Sequence, residues 1–128
     1  TLPWREHTYI GGSSMGGLMA LYMIVMHSDI YSKAACISPH LYPMYKAFRE
    51  DWGHEMHPDT KVYISWGGYE YDTHDLFAKV TDQNLQVIRA LLKKPGVDVW
   101  PHVFKNDNHS EAAWEKELHV WLSELEIA

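Results

Sequence analysis

Cysteine is almost missing from these 128 residues: Cys36 is the only one. A lone thiol excludes an internal disulfide. Its apolar setting, Ala34-Ala35-Cys36-Ile37, marks it as a small buried hydrophobe rather than a reactive thiol. Positive charge is also short. Lys and Arg total 11 against 17 Asp and Glu, a formal net charge of -6. With acidic residues spread along the chain, neither nucleic acid nor an anionic membrane is expected as a partner. Long apolar runs are absent too. The longest, Leu18 to Met26, falls well short of the roughly 20 residues a helix needs to cross a bilayer. No secretory signal is visible in these residues. A cytoplasmic location is the expectation. There is no internal repeat, linker or low-complexity segment. What remains, 46% hydrophobic in composition, is globular and sized for one small domain with a modest core.

The chain is organised around Ile10-Gly11-Gly12-Ser13-Ser14-Met15-Gly16-Gly17. Within it Gly12-Ser13-Ser14-Met15-Gly16 is a G-x-S-x-G pentapeptide. His7 to Gly11 reads as a short strand, and about Ser14 to His27 as a helix. Strand, glycine turn and helix together are the context of a nucleophile elbow. The turn would force its central serine into a strained backbone, and the flanking glycines would lie too close to other backbone for a Cβ. Ser14 Oγ would then stand clear of the sheet, with the Met15 N–H facing the same space as an oxyanion donor. The plainer alternative is a glycine-rich loop with Ser13 or Ser14 as an N-cap.

The elbow helix is apolar on almost every side, which predicts burial on nearly all faces. A second strand is expected at Lys33 to Ile37, ended by Ser38-Pro39, and a partly helical stretch over Leu41 to Trp52. A third strand covers Lys61 to Trp66. The following helix, about His74 to Lys93, carries Phe77, Val80, Val87, Ile88, Leu91 and Leu92 at helical spacing, and Pro95-Gly96 stops it. A fourth strand runs from about Val97 to Phe104. Pro101 inside it cannot donate to a ladder, so that strand belongs at an edge or carries a bulge. The last helix starts near Ser110 and shows one stripe of Trp114, Leu118, Trp121, Leu122 and Leu125. Strands alternating with helices predict an α/β fold, a parallel sheet with helices on both faces. The chemistry of such a sheet sits in the loops at the C-terminal ends of its strands.

A serine needs a base, and the base needs a carboxylate to hold its tautomer. Of nine histidines, His109 is best placed, in the polar loop after the fourth strand. The loop after the third strand offers Glu70, Asp72 and Asp75. Glu70 is nearest the strand end and ranks first, Asp72 is the alternative acid, and Asp75 also suits the first turn of the next helix. The order Ser14, Glu70, His109 is Ser…acid…His, that of α/β-hydrolases.

Gly11 to Tyr22 resembles the elbow of the esterase-D-like "putative esterase" family, which includes enterochelin, feruloyl and acetylxylan esterases, S-formylglutathione hydrolases and mycolyltransferases. Ala35-Cys36-Ile37-Ser38-Pro39 resembles its next strand. Trp66-Gly67-Gly68-Tyr69-Glu70 resembles the segment that supplies the acid, and Asn108 to Trp114 the segment with the catalytic histidine. The resemblance covers nearly the whole chain in the right order. It implies an α/β-hydrolase acting on carboxylic esters, with Ser14 as nucleophile, Glu70 as acid and His109 as base. No cofactor or metal is expected. Complete members are roughly twice as long and take a second oxyanion donor from an early strand–helix loop. Residues 1–128 therefore read as the C-terminal half of a single α/β-hydrolase domain that lacks its N-terminal strands.

Other signals are weaker. Trp52-Gly53-His54-Glu55-Met56-His57 lacks the histidine spacing of H-E-x-x-H and reads as a polar loop flanking the pocket. Tyr42, Tyr45, Trp52, Tyr69 and Tyr71 would line a sugar or aromatic-acyl pocket or simply pack, and His40 could face the pocket. The expected substrate is a small-molecule or carbohydrate-linked ester. The expected partner is a second copy or the absent N-terminal half. Acyl transfer on the same triad, a non-catalytic binding module and a peptidase are the competing readings.

Overall fold

The computed structural model describes residues 5–39, 55–67, 74–104 and 111–127. A turn of 3-10 helix at Arg5–His7 leads into strand β1 (Tyr9–Ser13), helix α1 (Met15–Met26), β2 (Lys33–Ile37), β3 (Thr60–Gly67), α2 (His74–Leu92), β4 (Val97–Phe104), α3 (Glu111–Lys116) and α4 (Leu118–Glu124). The strands form one four-stranded sheet in the order β1-β2-β3-β4. Every pairing is parallel. This is the α/β architecture expected from the alternation of elements.

Parallel strands are covered on both faces, so their sequences run apolar without a break. β3 shows it: all of its residues but Lys61 are buried. Val62, Ile64 and Trp66 point to a core shared with Leu21, Ile24 and Val25 of α1 and Val87, Ile88 and Leu91 of α2. Tyr63 points the other way, with Ala35 and Ile37 of β2, into a second core closed by Trp114, Val120, Trp121 and Leu125. The last two helices therefore cover one face of the sheet, and α1 and α2 the other.

Four expectations need correction. β1 starts at Tyr9 rather than His7 because Arg5–His7 is wound as a turn. That turn is tied down from a distance: Arg5 Nε donates to Ser28 O at 2.6 Å, and its Nη2 donates to Thr60 Oγ1 at 2.5 Å. Helix α1 is not buried all round. Met15, Met19 and Tyr22, spaced as one helical stripe, are 59%, 56% and 37% exposed. Leu92 is exposed at the end of α2, and Leu118 is exposed rather than on the packed stripe. Leu118 turns outward because the last helix is broken at Glu117, whose backbone sits at φ -91°, ψ 1° between α3 and α4.

The edge position read from Pro101 holds. β4 is an outer strand of the described sheet, and Pro101 faces Ile64 in an unbroken register from Thr60↔Val97 to Gly67↔Phe104, so no bulge is needed. Pro95-Gly96 ends α2 as expected. Gly96 has φ +74°, and a Cβ there would lie 2.8 Å from Pro58 Cα, so both backbone angle and space require glycine. Leu41 to Trp52 lies outside the described residues.

Candidate functional site

β1 passes into α1 through Ser14, which sits at φ 57°, ψ -119°. A β-carbon is rare there, and such a backbone costs on the order of 1–3 kcal/mol and clusters at functional turns. Two hydrogen bonds hold it. Ser14 N donates to Ile37 O at 3.0 Å, and Ser14 O accepts from Leu18 N at 3.0 Å, opening the helix. Ser14 occupies the N-cap position of α1, yet its side chain makes no capping bond. The capping alternative thus lacks its defining contact. Met15 is the first residue of α1, so its N–H has no acceptor within the helix.

The glycines divide by position. A Cβ on Gly12 would stand 2.6 Å from the carbonyl carbon and oxygen of Gly16, and one on Gly17 would stand 2.6 Å from Ile37 O. Those two approaches close the turn against itself and against the end of β2. Gly16 is different: a Cβ there meets nothing within 4 Å, so the second glycine of the pentapeptide is needed for its backbone's closeness to Gly12, not for its own missing side chain.

The ends of β2 and β3 form a rung with the elbow, in which Ser13 pairs with Ile37, Ile37 with Ser65, and Ser65 with His102. Just past the rung, Ser38 takes a left-handed φ of 45°. Its N donates to Ser65 O at 2.7 Å, and its Oγ accepts from Trp114 Nε1 at 2.9 Å. Beneath the rung, Tyr63 Oη and Ser65 Oγ both donate to Glu117 Oε2 at 2.7 Å. Burial, and then the bond to Glu117, push the Tyr63 phenol well above its ordinary range. Tyr63 stacks on His102 with ring centroids 5.3 Å apart, and His102 Nε2 lies 2.8 Å from Glu124 Oε1. Sequence reading passed over Ser38, Ser65 and Glu117. A signal was present: Glu117 lies three residues after Trp114 and four before Trp121, on the apolar face of the last helix.

Of the other expected site residues, Glu70, Asp72 and His109 lie outside the described residues. So do His40, Tyr42, Tyr45, Trp52, Tyr69 and Tyr71. Asp75 is the second residue of α2, in its first turn. The expected pocket-flanking loop is corrected at its end. Glu55 to His57 precede β3 and so lie at the N-terminal ends of the strands, opposite the elbow. There His57 N donates to Ser28 Oγ at 2.7 Å. Among the described residues no group of three His, Cys, Asp or Glu is arranged to hold a metal ion. Nor is any helix among them long and apolar enough to cross a membrane. Cys36 is fully buried in the first core, and burial pushes its thiol far above the ordinary range.

The fold is that of α/β-hydrolases. An S-formylglutathione hydrolase from Staphylococcus aureus superposes with a TM-score of 0.62 at 18% identity, over 95% of this chain and 52% of its own. The BES protein from Bacillus cereus gives a TM-score of 0.74 at 18% identity, over 92% and 45%. A siderophore hydrolase from Aspergillus nidulans gives 0.63 at 16%, over 92% and 48%. The chain thus spans about half the length of these structures. No curated protein matches it significantly in sequence. The family model described as "Putative esterase" matches residues 1–125, and by that match the chain belongs to the esterase family so described.

Proposed function

We propose that the protein is a serine carboxylic-ester hydrolase working through an acyl-enzyme, with Ser14 as nucleophile, His109 as base and Glu70 as the acid that orients it. The observation that carries this reading is the backbone of Ser14: a left-handed φ of 57° at the C-terminal end of a parallel strand, closed by Gly12 and Gly17. Strain of that kind needs a reason, and presenting a hydroxyl above the sheet supplies one. Membership of an esterase family, and likeness to an S-formylglutathione hydrolase and a siderophore hydrolase, support the same chemistry.

In this reaction Ser14 Oγ bonds to the ester carbonyl carbon while His109 takes its proton. The oxyanion of the tetrahedral intermediate is held by the Met15 N–H. The intermediate collapses, the carbon–oxygen bond to the alcohol breaks, and His109 returns the proton to the leaving oxygen. Water, deprotonated by His109, then attacks the acyl-enzyme and frees Ser14. Glu70 stabilises the imidazolium in both halves, and Asp72 is the alternative for that place. A second oxyanion donor would come from an early strand–helix loop. We accordingly read residues 1–128 as the C-terminal half of the hydrolase domain, completed by strands that pair with β1.

The reading is tested by steady-state hydrolysis of short p-nitrophenyl esters by the natural protein. Ser14→Ala and His109→Ala should each lower kcat by about 1,000-fold or more, and Glu70→Ala should do so more strongly than Asp72→Ala. Undiminished turnover in Ser14→Ala would remove the proposed nucleophile. A larger loss in Asp72→Ala than in Glu70→Ala would move only the acid.

A further inference from the structure

Among the described residues Glu117 is the only charged side chain that is buried, at 4% exposure. Burying a carboxylate is expensive, and a well-packed apolar side chain in its place often serves stability as well or better. The chain nevertheless breaks its last helix at this residue and turns the carboxylate onto β3. What Glu117 holds there is Ser65, the member of the elbow's own rung that pairs with Ile37. Ile37 O in turn accepts from the backbone N of Ser14. One turn earlier in the same helical pair, Trp114 Nε1 donates to Ser38 Oγ, the residue that follows Ile37. The corner between α3 and α4 is therefore bonded at two points to the strand ends that carry the serine. In sequence, α3 begins two residues after His109.

We propose that Glu117 is a positioning residue: through Ser65, and together with the Trp114–Ser38 bond, it locks the last helical pair to the strand ends that hold Ser14, and so fixes where the serine stands. This rests on the reading of Ser14 and His109 as nucleophile and base. A buried carboxylate suits the task because one oxygen accepts two hydroxyl protons at once, from Tyr63 and Ser65, and so fixes the helix corner to neighbouring points of one strand. Its loss would leave both hydroxyls buried without that acceptor, and the corner free to shift. A displacement of about 1 Å between a base and its nucleophile can cost on the order of 100-fold in rate without touching substrate binding.

The test is kinetic, in the natural protein and well below the unfolding temperature of each variant. Glu117→Ala and Ser65→Ala should lower kcat for p-nitrophenyl acetate by about 10-fold or more while KM stays within about 2-fold, because the loss is in alignment and not in binding. Glu117→Gln keeps an acceptor oxygen and should recover most of that loss. Ser38→Ala combined with Glu117→Ala should cost clearly less than the product of the single losses, since both act on one corner. Should Glu117→Ala not fold, Ser65→Ala carries the test, because it leaves the Tyr63 bond in place. Folded variants with unchanged kcat, or a loss confined to KM or to the unfolding temperature, would overturn the proposal. Fluorophosphonate labelling of the unsubstituted protein separates the two claims. No label on Ser14 sinks the nucleophile reading itself, whereas label on Ser14 with unaltered kcat in Ser65→Ala sinks only the positioning of Glu117.

Discussion

Ser14 and its glycines place nearly all of the elbow's constraint on a few backbone atoms. Gly12 and Gly17 have no room for a methyl group, and what they would strike is main chain, which cannot swing aside. Gly12→Ala or Gly17→Ala should therefore destabilise the protein by about 1–3 kcal/mol or more, as overpacking does. Gly16→Ala should be neutral or stabilising by up to about 1 kcal/mol, since Gly16 is exposed, helical and unobstructed. Thermal unfolding of the three variants checks this, and a Gly16→Ala variant as damaged as Gly12→Ala would contradict it. Tyr63 gives a pH signature. Its phenol is raised above the ordinary value of 10.0 by burial and by Glu117. The unfolded chain therefore loses this proton first as pH rises. Stability from the neutral phenol is fully present below about pH 10 and should fall above it by about 1.4 kcal/mol per pH unit. Tyr63→Phe should flatten that alkaline limb in denaturant titrations; an unchanged limb would mean that Tyr63 is not held neutral by the fold.

Elements were legible where local chemistry decides them. β2 falls at Lys33–Ile37 as the sequence suggests, because its apolar run is bounded by Ser32 and by Ser38-Pro39. β4 reads as an outer strand because a proline inside it lacks the donor an inner strand needs. What sequence could not show depends on partners far along the chain. The start of β1 is set by Arg5 reaching residues 23 and 55 positions away. The break of the last helix is set by Glu117 finding two hydroxyls on β3; helical periodicity places this glutamate on the apolar face but does not name those partners. At the candidate site the strained turn was legible from Gly-x-Ser-x-Gly, but Ser38 and Ser65 were not, since a serine inside or just after a strand has no distinguishing pattern. Helix α2 holds a further feature of this kind. Asn84 is fully buried in line with Val87, Ile88 and Leu91, and neither atom of its amide has a hydrogen-bond partner. An unpaired buried amide costs about 1–3 kcal/mol, so Asn84→Leu should raise the unfolding free energy by an amount of that order. A lower unfolding temperature for Asn84→Leu would show that the amide is satisfied after all.

For the molecule as a whole, the exposed surfaces bear on the proposal that further strands pair with β1. β1 carries the elbow yet is an outer strand of the described sheet, and Met15, Met19 and Tyr22 form an apolar stripe on the helix beside it. A cleft of about 670 Å³ lies along the other face of β1, floored by Gly11, Ala35 and Ile37 and walled by Trp114 and Trp121. An unpaired strand edge next to apolar surface favours association. Residues 1–128 expressed alone should therefore self-associate in size-exclusion chromatography with light scattering. They should also hydrolyse short esters roughly 100-fold or more slowly than the natural protein, the usual cost of losing one oxyanion donor. A monodisperse monomer with full turnover would show that nothing further pairs with β1. The proposed chemistry rests on Ser14, and its most direct measurement is fluorophosphonate labelling of the natural protein followed by peptide mass spectrometry. It predicts one modified residue, Ser14, with labelling abolished in Ser14→Ala and slowed strongly in His109→Ala. Label on another residue, or label that persists in Ser14→Ala, would contradict it.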